Sequence, residues 1–108
     1  MNYPKHNYVR SQKLLKLVAS LSCQCCGMDN GVQAAHSNWV EWGGKGKSLK
    51  SSDEYTAALC LKCHYEIDQG AHLSKDERKK MWFKAHQKTV NILVENNQWP
   101  KNVPIPVY

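Results

Sequence analysis

Apolar residues recur along this chain in separable stretches, each with its own period. Leu14, Leu15, Val18 and Leu21 fall at helical spacing, with Arg10, Lys13 and Lys16 on the other face, which predicts a short amphipathic helix over Ser11 to Leu21. Val32 to Ser37 is a short apolar run suited to a strand. Asn38 to Ser52 reads as a loop, because Gly43, Gly44 and Gly46 break periodicity and lysines and serines fill the remainder. Glu54 to Leu59 reads as a second strand. A short helix is predicted to begin near Cys63 and stop at Gly70 as its C′ residue. Ser74-Lys75-Asp76-Glu77 is a capping-box signature, opening a helix to about Asn97 with Trp82, Ala85, Thr89, Ile92 and Leu93 along one face. Trp99-Pro100 ends that helix, and Pro104 and Pro106 keep the tail extended.

This order of elements predicts one α+β domain over residues 1–108, with a core at about 22–73, a C-terminal helix at about 75–97 and an extended tail over 98–108. So small a chain buries a modest share of its surface, which favours a metal or disulfide staple. The five cysteines decide between these. Cys23-Gln24-Cys25-Cys26 and Cys60-Leu61-Lys62-Cys63 are two C-x-x-C knuckles rather than a disulfide ladder. Each forms a tight turn that aims two thiolates at one point, and Gly27 permits the first turn. Zinc takes four such ligands tetrahedrally. The expected set is Cys23, Cys26, Cys60 and Cys63, holding structural Zn2+, with Cys25 left over. Reduced thiols, a polar and basic Met1 to Arg10 and no bilayer-length apolar run predict a cytoplasmic protein without a membrane partner.

Charge adds a partner to the picture. The formal net charge is +6, and a four-thiolate zinc site would leave about +4. Residues 1–22 carry Lys5, Arg10, Lys13 and Lys16 with no acid, Lys45, Lys47 and Lys50 crowd the glycine-rich loop, and Arg78, Lys79, Lys80, Lys84 and Lys88 share one segment. Three basic clusters on so short a chain point to a polyanion, here DNA, with Lys45, Lys47 and Lys50 as its candidate contacts. Monomer and homodimer both remain open.

The histidines carry the chemistry. His64 directly follows the last knuckle cysteine, and Asp68 lies one helical turn on, close enough for an imidazole and a carboxylate to grip one cation. His72 is about 12 Å further along a continuous helix, but a chain turning back at Gly70 could return it to the site. His36 closes the first strand.

Cys23-x-x-Cys26-Gly27, Ala35-His36, a glycine- and lysine-rich loop and Leu59-Cys60-x-x-Cys63-His64 together resemble the HNH endonuclease family. Gly44-Lys45-Gly46, Asp53 and His64-x-Glu66-Ile67-Asp68 with His72 beyond narrow the likeness to the small prophage-encoded YbcO-like nucleases and the catalytic half of the Ref recombination-associated nuclease. The resemblance covers about residues 10–95. It implies a ββα-metal core in which His36 is the general base and His64 binds a catalytic Mg2+, Mn2+ or similar ion. Two positions depart from the pattern: Ala35 stands where many members have a second metal ligand, and Tyr55 replaces the middle asparagine. Asp53, Asp68 and His72 are the candidates to complete the ligand set.

The resulting expectation is a phage-encoded, metal-dependent DNA endonuclease linked to recombination or DNA processing. The alternative is a non-catalytic zinc-ribbon module that binds DNA, which leaves His36, His64 and His72 unexplained. A zinc deaminase fails because no cysteine follows His64-Tyr65-Glu66. A two-cysteine, two-histidine finger fails on histidine spacing, and a thiol redox enzyme lacks a βαβ setting.

Overall fold

The computed structural model describes residues 8–44 and 49–108. Three helices and one two-stranded antiparallel sheet follow in the order α1 (Gln12–Ala19), β1 (Val32–His36), β2 (Thr56–Cys60), α2 (Leu61–Gln69) and α3 (Lys75–Glu95). None of these helices is long and apolar enough to cross a membrane.

Each boundary has a local cause. Ser11 accepts from the Leu14 backbone N–H and caps α1, so the helix starts one residue after it. It ends at Ala19 rather than Leu21, yet Leu21 still packs beside Leu14 and Val18. β1 pairs with β2 in a register that sets His36 opposite Thr56 and Val32 opposite Cys60. β2 starts two residues later than predicted. Asp53 and Glu54 instead form a turn, closed by Tyr55 N–H on the Ser52 carbonyl and by the Thr56 hydroxyl on the Asp53 carbonyl.

The helix α2 begins at Leu61, directly after the strand and two residues before the predicted start. Cys60 is both the last residue of β2 and the N-cap of α2, so no loop separates them. At its other end Gly70 has φ −63°, not the left-handed conformation expected of a C′ glycine. Its glycine is required by crowding instead: a Cβ there would collide with the Glu66 carbonyl and carboxylate oxygens. The capping box of Ser74 and Glu77 opens α3 as predicted. Its buried face is Trp82, Ala85, His86, Thr89, Val90 and Leu93, while the predicted Ile92 is only half-buried.

Every residue of β2 is buried, which places that strand at the centre. Alternation sends Ala57 and Leu59 to a cluster with Ile67, Trp82 and Ala85, and Ala58 to one with Leu14, Val18 and Leu93. The edge of β2 that pairs with no strand is satisfied by other means. Thr89 Oγ1 accepts from Ala58 N–H, Gln24 N–H donates to the Ala58 carbonyl, and His86 Nδ1–H donates to the Thr56 carbonyl. Covering an exposed edge with a helix both satisfies its polar groups and blocks strand addition.

Candidate functional site

The two knuckles meet where β2 becomes α2. Cys23, Cys26, Cys60 and Cys63 bring their sulfurs within 4.8 Å of one another, and Cys26 Sγ lies 3.6 Å from Cys60 Sγ. Four sulfurs bound at about 2.3 Å to one tetrahedral ion stand about 3.8 Å apart, so the cluster fits zinc. The first turn closes through Gly27 N–H on the Cys23 carbonyl, with Gly27 at φ +83°. Cys25 is exposed and outside the group. Burial alone would raise the Cys23 thiol, but backbone N–H groups of Cys26, Cys60 and Cys25 outweigh it and bring the value down to about 6. Burial, then the neighbouring thiols of Cys60, Cys26 and Cys23, pushes Cys63 far above its ordinary value. Thiols this crowded cannot all ionise without a cation among them, which is the chemistry of a metal site.

His36 and His64 line one cleft of about 410 Å³, together with Ser37, Asn38, Lys50 and Asp68. His36 comes from the end of β1, and its Nε2 lies 2.7 Å from Asp53 Oδ1. A carboxylate only accepts, so Nε2 carries the proton and Nδ1 keeps a free lone pair. Burial lowers the His36 pKa; the Asp53 hydrogen bond and charge oppose this, and Lys50 and Arg10 add to the lowering. The ring is therefore neutral at pH 7.

Asp53 is itself held tightly. Arg10 Nη1 donates to Oδ1 at 3.2 Å and Ser11 N–H donates to Oδ2 at 2.7 Å. The same guanidinium reaches the Ser51 carbonyl at 2.6 Å and the Lys50 carbonyl at 2.8 Å, stitching the start of α1 to the segment before β2. Asp53 thus serves His36 and stands apart from His64 and Asp68.

Across the cleft, His64 Nε2 lies 3.1 Å from Asp68 Oδ2. His64 Nδ1–H donates to Gln33 Oε1 at 2.8 Å, and Asn38 Nδ2 donates to Asp68 Oδ1 at 2.6 Å. Nε2 and Oδ2 thus stand side by side at a separation that one shared cation would span. Neighbouring ligands of an octahedral ion with bonds of about 2.1 Å are about 3 Å apart, so the pair could hold one edge of such a site. Among the described residues, only the four cysteines form a cluster of three or more converging donors. His72 is exposed beyond Gly70 and does not line the cleft. Lys50 lines it, whereas Lys45 and Lys47 lie outside the described residues.

Gln33, Asn38, Arg10 and Ser11 had no sequence signal, since each reaches a partner 30 or more residues away. His86 did have one. It lies four residues after Trp82 and three before Thr89, on the buried face of α3, and is fully enclosed. Its Nδ1–H donates to the Thr56 carbonyl at 2.8 Å, its Nε2 accepts from the Tyr108 hydroxyl, and its ring stacks on Trp82 at 4.7 Å. This histidine braces β2 and carries no open lone pair.

A family model described as a protein of unknown function, DUF968, matches residues 1–96, and the chain belongs to that family. One similar solved structure is from Escherichia coli K-12 and is described as that of "a putative bacteriophage protein". It is 21% identical, covers 76% of this chain and 96% of its own, and superposes with a TM-score of 0.56, a likeness of fold. No curated protein matches this chain.

Proposed function

We propose that this protein is a metal-dependent DNA endonuclease of the HNH (ββα-metal) class, phage-encoded like the description of its structural neighbour. One observation carries the reading: a half-buried, carboxylate-held histidine on β1 shares a cleft with a histidine–carboxylate pair on α2. A strand hairpin followed by a helix, pinned by a four-cysteine cluster, brings the two histidines to the walls of one cleft.

His36 is the general base. Asp53 fixes its ring and its tautomer, so that the Nδ1 lone pair is the one free to take a proton from water. Burial with Lys50 and Arg10 nearby keeps it unprotonated at neutral pH. His64 and Asp68 would hold the catalytic ion, with Gln33 and Asn38 fixing their orientations. Such an ion, when bound, neutralises charge on the phosphate and stabilises the leaving oxygen. Lys50 lines the same cleft and attracts the phosphodiester. Zinc in the cysteine cluster has a structural part, since Cys63 and His64 are adjacent on α2 and the cluster sets the start of that helix.

The test is nicking of supercoiled plasmid with Mg2+ or Mn2+. The expected result is divalent-ion-dependent cleavage abolished by EDTA. His36→Ala should cut about 10²- to 10⁴-fold more slowly while keeping zinc and the second ion. His64→Ala should lose binding of the second ion as well. Equal trace cleavage by wild type and both variants would mark a contaminant and leave a zinc-ribbon module that binds DNA without cutting it.

A further inference from the structure

The cleft does not end at its two histidines. His36, Leu49 and Lys50 also line a second hollow that reaches Arg10, Gln12 and Leu15 at the start of α1. On the opposite side Asn38 and Asp68 are shared with a third hollow, bounded by Trp39, Lys75 and Arg78 at the start of α3. The three adjoin through shared walls and so make one open groove. Cations stand at both of its ends: Arg10 and Lys50 at one, Lys75 and Arg78 at the other.

The α3 end contains an unused donor. Arg78 reaches the Asp68 carbonyl through Nη1 at 3.4 Å, a long contact, while its Nε is buried and meets no acceptor among the described residues. A buried guanidinium N–H without an acceptor costs free energy, which Arg78, whose side chain lines the hollow, would recover by turning this group onto an anion there. Neighbouring cations are already occupied elsewhere. Lys79 bonds Glu41 at 2.6 Å and lies over the Trp42 ring, so Lys75 and Arg78 alone face this hollow. Two acids, Asp76 and Glu77, lie between them in the first turn of α3; neither lines the hollow, and Glu77 is held by the Ser74 backbone as its cap.

We propose that this groove is the path of a DNA strand, and that Lys75 and Arg78 form a phosphate subsite one step beyond the cleft, opposite the Arg10 and Lys50 end. The strand thereby enters over one helix start, crosses between His36 and His64, and leaves over the other. This deepens the nuclease reading and rests on it for the direction of the chemistry, but the subsite itself requires only binding.

The experiment measures affinity for a short DNA duplex by fluorescence anisotropy in EDTA, at salt from 50 to 200 mM. Each phosphate contact contributes about 0.9 to the slope of log affinity against log salt. K75Q/R78Q should therefore lose up to about 1.8 of that slope, so the salt-induced fall in affinity shrinks about tenfold over this range. R78K should retain the slope, which separates charge from any disturbance of α3. K84Q/K88Q, beside the tail rather than the groove, should leave it unchanged. Equal slopes for wild type and K75Q/R78Q, or equal losses from both pairs, would overturn the subsite. Cleavage is scored separately: plasmid nicking with an unchanged slope removes the subsite and leaves the nuclease, and a changed slope without nicking does the reverse.

Discussion

His86 makes the fold sensitive to acid by an amount that the structure fixes. The ring is enclosed between the Thr56 carbonyl, the Tyr108 hydroxyl and the Trp82 face, with Tyr55 stacked at 5.8 Å and no carboxylate bonded to it among the described residues. Burial lowers its pKa from 6.5 to about 4, against a smaller raising effect of the Thr56 hydrogen bond. In the unfolded chain the ring protonates near 6.5. The unfolded state therefore binds the extra proton between pH 6.5 and 4, and stability falls as pH drops through that window. Each tenfold difference in proton affinity is worth about 1.4 kcal/mol, so the full loss is about 3 kcal/mol, of which about 1 kcal/mol is already spent between pH 7 and 5.5. Urea unfolding of zinc-loaded protein at those two pH values, for wild type and His86→Gln, reads it out. The variant is less stable at both, but its pH-dependent fall should be smaller by about 1 kcal/mol. Protonation of the thiolates is common to both proteins and cancels. An identical fall in both would refute the assignment of this acid sensitivity to His86.

Two further outcomes follow from the site. Asp53→Asn removes the carboxylate that raises the His36 pKa while leaving the burial, Lys50 and Arg10 that lower it. The acid limb of the pH–rate profile for plasmid nicking should move to lower pH, while the rate falls about 10²-fold or more from loss of the ring's orientation; a limb that moves upward contradicts the dyad. Cys25→Ser should keep one zinc per chain by metal analysis, whereas Cys26→Ser should lose it and unfold the core, because Cys25 lies outside the sulfur cluster. Retained zinc in Cys26→Ser would show the ligand set to be wrong.

Much of this architecture is local and so was legible in the chain. The knuckle spacing identifies all four clustered cysteines and excludes Cys25, and the capping box and apolar period locate α3. His64 and Asp68 meet because a single helical turn separates them. What escaped was either non-local or overridden. Asp53 was legible only as one more metal-ligand candidate, since its bond to His36 spans 17 residues and its hold by Arg10 spans 43. The true start of α2 is hidden in the sequence because a strand that turns into a helix at its own last residue has no loop to mark the boundary. His86 falls on the apolar face by its spacing from Trp82, but its bond to Thr56 spans 30 residues and so leaves no local sign.

The direct junction at Cys60 ties sequence length to angular aim. One residue inserted after Cys60 would turn everything downstream by about 100° around the helix axis. His64 and Asp68 would then swing together away from His36, while their mutual spacing, and so their appearance as a pair, stayed intact. A change of length at this one peptide bond would thus part the pair from His36 without altering a single residue of either.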